Sequence, residues 1–137
     1  MLKEVSLLFV YGSLRLGFKD PAYEYLSKFF RFHGEGKVRG KFYAKGEIPV
    51  AVNTSENSYI PGDLYELLDS DDFKWVMAQL DDYEGINVEA GETPLYTRSL
   101  IKVIIAGEEK EAWIYWYNGN IQNLPPLEAD EVTKRLL

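Results

Sequence analysis

The chain has 137 residues, 46% of them hydrophobic, with a formal net charge of -7 at pH 7, no cysteine and one histidine. That length supports one compact core and not two, and the missing cysteines exclude disulfides, thiolate nucleophiles and Cys-built zinc or iron–sulfur centres. The acidic balance argues against nucleic acid as a partner. No apolar run approaches the roughly 18 residues of a membrane span, and the N-terminus carries no secretory pattern; a soluble, cytoplasmic protein without a membrane partner is expected.

The first element is the apolar run Leu7 to Tyr11, short and ended by Gly12, which fits a buried strand. Asp20-Pro21 supplies an N-cap with proline at the first helical position, and Tyr23, Leu26 and Phe30 follow at helical spacing, predicting a helix over about 21–31. Lone His33 has no Gly-x-Ser-x-Gly elbow to serve and reads as an ordinary surface or core histidine.

Strands are predicted over 37–43 and 59–67, with a less distinct one over 46–52 between them. In 59–67, Ile60, Gly62 and Leu64 form one face and Tyr59, Tyr65 and Leu67 the other, while Pro61 marks an edge or bulge. Asp69-Ser70 caps the strongest helix, in which Phe73, Val76, Met77 and Leu80 recur at i, i+3, i+4 and i+7; Gly85 suits its C′ position. Strands 96–105 and 110–117, joined by Ala106-Gly107-Glu108-Glu109, read as a hairpin. After Asn118 the chain carries Pro125-Pro126 and reads as a loop with a short terminal helix. Strands without regular intervening helices point to an α+β fold with a mostly antiparallel sheet or small barrel rather than a doubly wound nucleotide-binding fold.

Three segments could carry chemistry. At Tyr11-Gly12-Ser13-Leu14 a glycine at a strand end lets successive backbone N–H groups turn to one side and cup an anion. By itself the segment reads more readily as a strand-ending turn. Leu80-Asp81-Asp82-Tyr83-Glu84-Gly85 puts three carboxylates at a helix C-terminus, against the macrodipole, where mutual repulsion raises a carboxyl pKa and suits Glu84 to proton transfer. A solvated acidic helix end is an equal reading. Arg98, in Tyr96-Thr97-Arg98, could pin Glu84 or a substrate carboxylate, or serve in a cross-strand ion pair.

Taken in order, Phe-Val-Tyr-Gly-Ser-Leu-Arg (9–15), Gly-Lys-Phe-Tyr (40–43), Ile-Pro-Val-Ala-Val (48–52), Pro-Gly-Asp-Leu-Tyr-Glu-Leu (61–67), Leu-Asp-Asp-Tyr-Glu-Gly (80–85), Tyr-Thr-Arg (96–98) and Glu-Ala-Trp-Ile-Tyr-Trp-Tyr (111–117) resemble the gamma-glutamylcyclotransferase-like, or AIG2-like, superfamily. The resemblance covers about residues 7–118 of a single domain, leaving a tail over 119–137. It implies a small mixed antiparallel and parallel β-barrel flanked by helices. It also implies a cofactor-independent and metal-free enzyme that releases 5-oxoproline from a small γ-glutamyl substrate, as a monomer or homodimer. Tyr11, Gly12, Ser13 and Leu14 would bind substrate, Glu84 would be the catalytic acid/base, and Tyr115 or Tyr117 would line the pocket. Ile48, where the family often has an aromatic residue, and Asp63, where it more often has Glu, depart from the pattern near substrate-lining strands. Two other readings remain open: a non-catalytic small-carboxylate-binding module of the same fold, and a docking patch built on Trp113, Trp116 and Tyr117.

Overall fold

A computed structural model describes residues 6–11, 26–46, 48–83, 94 and 96–128. In chain order these form β1 (Leu7–Val10), a 3-10 turn (Leu26–Phe29), β2 (Phe30–Lys45), β3 (Ile48–Asn53), β4 (Tyr59–Leu67), a second 3-10 turn (Ser70–Asp72), α1 (Phe73–Tyr83), β5 (Tyr96–Ile105), β6 (Glu108–Tyr117) and β7 (Pro126–Leu127). Strands β2, β4, β1, β6 and β5 pair in that order, and β5 returns to β2 at Lys37 opposite Ile104, closing a barrel. All these pairings are antiparallel except β1 with β6, which is parallel with Leu8 opposite Trp113. The predicted mixed β-barrel of an α+β protein is therefore the observed architecture.

Strand β2 holds the barrel together and is much longer than the predicted 37–43. Its partner runs down β4 from Leu67, opposite Phe30, to Tyr59, opposite Arg39; β3 then takes over with Asn53 opposite Gly40. Near its end Phe42 and Tyr43 also pair with β7, a strand within a stretch read from sequence as loop. Of the helix expected over 21–31, residues 21–25 lie outside the described residues, Leu26–Phe29 form a single 3-10 turn, and Phe30 and Arg31 already belong to β2. Helical spacing of three apolar residues is outweighed there by nine paired positions along β4.

The barrel sheet has an apolar layer on each side. Phe9, Val38, Phe42, Ile60, Leu64, Val103, Ala112, Ile114 and Trp116 fill the interior. Leu8, Val10, Phe30, Tyr65, Leu67 and Tyr115 cover the outer face, where α1 lays Val76, Met77 and Leu80 on them. The alternation anticipated in β4 is the one observed, with Ile60, Gly62 and Leu64 inward and Tyr65 and Leu67 toward the helix. Asp69 caps the turn before α1 by accepting from the Asp71 amide at 2.9 Å. The β5–β6 hairpin turns on two residues rather than four: Ala106 (φ 50°) and Gly107 (φ 79°) both take the positive φ that matches strand twist.

Candidate functional site

The parallel pairing of β1 with β6 builds the site, because it sets the end of the first strand beside the end of the last long one. Leu8 stands opposite Trp113, so two residues on Val10 stands level with Tyr115. Antiparallel partners extend that level on both sides: Asp63 of β4 opposite Val10, and Arg98 of β5 opposite Tyr115. Four strands thus present Asp63, Val10, Tyr115 and Arg98 as a transverse row on the outer face, one residue before Tyr11.

Three polar links tie Tyr115 and Arg98 of this row to Tyr11 and to α1. The Tyr11 hydroxyl donates to the Tyr115 backbone carbonyl. The Tyr115 hydroxyl donates to Asp81 Oδ1 at 2.7 Å. Arg98 grips the same carboxylate with both arms, Nε to Oδ1 at 2.8 Å and Nη2 to Oδ2 at 3.1 Å, while its guanidinium lies 4.6 Å from the Trp113 ring centre. Asp81 stands on the last turn of α1, so the carboxylate that opposes the helix macrodipole is balanced by a fixed cation. The Tyr11 ring turns inward, with its centre 6.2 Å from that of Trp116 and 5.9 Å from that of Phe42.

Of the residues expected to act, Tyr11 and Tyr115 are therefore brought together. Tyr117 stands apart at the end of β6, edge-on to Tyr96 at 6.0 Å and under the Lys45 ammonium at 5.4 Å. Gly12, Ser13, Leu14 and Glu84 lie outside the described residues. Arg98 pairs with Asp81. Trp116 is buried inside the barrel whereas Trp113 and Tyr117 are half-buried, so these three do not make one exposed patch.

Sequence reasoning passed over two residues here. Asp81 was grouped with its acidic neighbours, and its signal was the buried Leu80 beside it, which fixes how the helix faces the sheet. Asp63 was noted only as a departure from a pattern, yet it is the buried charged residue among those described, at 8% exposure. The Tyr65 hydroxyl two residues on has its pKa pushed up by burial and then by the Asp63 charge. Among the described residues no cluster of three or more His, Asp or Glu side chains could hold a metal ion. His33 lies at the surface, its Nδ1 3.5 Å from Glu66 Oε2, away from this row.

A separate cleft of about 430 Å³ opens along the edge of β5 where it leaves β2. Arg39 and Lys102 line it together with Glu109 and Glu111, so its charged lining is mixed, and Tyr11, Tyr115 and Tyr117, the expected site residues among those described, are not part of it.

The arrangement coincides with a known family. The model of the family described as "Gamma-glutamyl cyclotransferase, AIG2-like" matches residues 8–132. The chain belongs to this family. A protein of Methanocaldococcus jannaschii provisionally named a gamma-glutamylcyclotransferase is 33% identical to the chain over 115 residues, covering 82% of the chain and 85% of that protein. The AIG2-like fold recurs in the crystal structure of a mouse AIG2-like protein, with a TM-score of 0.62 at 20% identity over 92% of this chain and 88% of that one. YkqA from Bacillus subtilis is similar too, with a TM-score of 0.59 at 27% identity over 84% of this chain, which spans only 36% of YkqA. No helix among the described residues is long and apolar enough to cross a membrane.

Proposed function

We propose that the chain is a cyclotransferase that releases 5-oxoproline from a γ-glutamyl amine or peptide. The observation that carries this reading is the linkage of Tyr11, which leads into Gly12-Ser13-Leu14, through Tyr115 to Asp81, three residues before Glu84. Tyr11 and Asp81, the described residues that lead toward those two segments in the sequence, are thereby joined through Tyr115. Family membership supports the same reading.

In this mechanism backbone N–H groups at Gly12 to Leu14 hold the substrate α-carboxylate. The α-amine nitrogen attacks the γ-carbonyl carbon, the lactam C–N bond forms, and the γ C–N bond to the leaving amine breaks. Glu84 moves the two protons surrendered by the α-ammonium to the leaving nitrogen, which departs as an ammonium, so atoms and charge balance without water or a redox partner. Holding a flexible glutamyl chain in its reactive conformer is worth up to about 7–11 kcal/mol in well-oriented intramolecular reactions, so positioning carries much of the rate.

Glu84→Gln is expected to keep the fold and substrate binding while abolishing 5-oxoproline formation from γ-glutamyl dipeptides, glutathione or γ-glutamyl-lysine, followed by mass spectrometry. Undiminished turnover in that variant removes Glu84 from the mechanism. Binding of a small carboxylate by the wild type without turnover of any of these compounds favours the non-catalytic module.

A further inference from the structure

We infer that Asp81, Arg98 and Tyr115 form a latch that sets the exit of α1, making Asp81 a positioning residue for the carboxylate three places on. This inference rests on the cyclotransferase reading for its catalytic consequence and on geometry for its structural one. The apolar contacts of Val76, Met77 and Leu80 hold α1 against the sheet, but such contacts are non-directional and leave rotation about the helix axis and sliding along it weakly fixed. The three hydrogen bonds to Asp81 are directional and come from two strands at the level of Tyr11. They fix both motions at the end of the helix from which Glu84 follows.

The same geometry commits both oxygens of Asp81 to the latch. Oδ1 accepts from Arg98 Nε and the Tyr115 hydroxyl, and Oδ2 accepts from Arg98 Nη2, so the guanidinium grips the carboxylate as a fork. The Arg98 and Asp81 side chains are 22% and 15% exposed, shielded enough that solvent does not replace the pair as it does for surface ion pairs. Tyr115 serves twice, since its hydroxyl binds Asp81 while its carbonyl receives the Tyr11 hydroxyl. A displacement at the helix exit is thus transmitted to the start of the Gly12–Leu14 segment through one residue.

The test compares Asp81→Asn, Arg98→Lys and Tyr115→Phe with wild type in full-length protein, using amide hydrogen exchange and steady-state kinetics on γ-glutamyl dipeptides. Tyr115→Phe removes one hydroxyl without removing the ring, so it keeps the test open where Asp81→Asn fails to fold. In Asp81→Asn and Tyr115→Phe, peptides covering the last turn of α1 and the residues after it should exchange about tenfold faster, with β4 and β6 peptides unchanged. The kcat of Asp81→Asn should fall about 100-fold with KM within about threefold, and Arg98→Lys, which keeps the charge but not the fork, should lie between. Unchanged exchange at the end of α1 overturns the latch whatever the activity, and faster exchange with undiminished kcat overturns the positioning role. If the wild type turns over none of the γ-glutamyl compounds, the cyclotransferase reading falls, and the exchange data alone decide whether the latch exists.

Discussion

The two faces of the barrel sheet are both apolar, yet they are closed in different ways. Inside, strands and rings meet at close range, and glycines make room: a Cβ on Gly62 would run into the Val10 carbonyl and the Phe9 ring, and one on Gly36 would come within 2.9 Å of the Ile104 carbonyl. Outside, a separate element supplies the cover, with Leu80 and Val76 fully buried, and a polar latch finishes what apolar contact begins. The interior therefore sets stability and barrel shape, whereas the outer layer couples stability to the candidate site.

Truncating either layer should cost the same and read differently. Ile114→Ala inside and Leu80→Ala outside should each lose about 4 kcal/mol in urea unfolding. Only Leu80→Ala, adjacent to Asp81, should also lower 5-oxoproline formation in the fraction that stays folded. Equal residual activity in the two variants would erase the distinction between the faces. Gly62→Ala should follow at about 3 kcal/mol, because its Cβ meets backbone and a buried ring that cannot swing aside. A neutral outcome would mean that the interior yields as easily as the helix layer.

The smallest effect lies at the barrel rim, where Arg31 Nη2 meets Glu66 Oε2 at 3.1 Å with side chains 65% and 34% exposed. Hydrogen bonding from Arg31 holds the Glu66 carboxyl below its ordinary pKa, with His33 adding to the effect and desolvation opposing it. A carboxyl whose folded-state pKa is lowered stabilises the protein above its unfolded value and loses that contribution as pH falls through the folded value. Glu66→Gln should therefore cost less than about 0.5 kcal/mol at pH 7, after allowance for solvent screening. The difference from wild type should vanish in acid. A larger loss would place this rim pair among the elements that hold the barrel closed.

Much of the sheet was legible because burial on one face writes itself as alternation. Ile60, Gly62 and Leu64 against Tyr65 and Leu67 is such a case, as is the 3.6-residue spacing that announced α1. The first half of β2 was not legible: Arg31, Phe32, His33 and Glu35 are exposed, and this stretch is a strand because β4 pairs with it, information held elsewhere in the chain. The candidate site was legible as a set of segments and not as a set of bonds. Arg98 could be matched to a carboxylate by charge, but picking out Asp81 requires knowing which side of α1 faces Tyr115. Strand β7 escaped for a related reason, since two residues carry no period and owe their conformation to Phe42 and Tyr43.

The hydrogen bond from Tyr11 to the Tyr115 carbonyl spans 104 positions of sequence. Contacts so distant bear the full entropy of loop closure before any local element rewards it, which slows folding. During synthesis, β1 waits for its parallel partner until Glu108–Tyr117 has emerged, with its neighbour β4 already available. The candidate site is thereby a seal on completed folding: a chain cut short before β6 has Tyr11 but not the carbonyl that receives its hydroxyl.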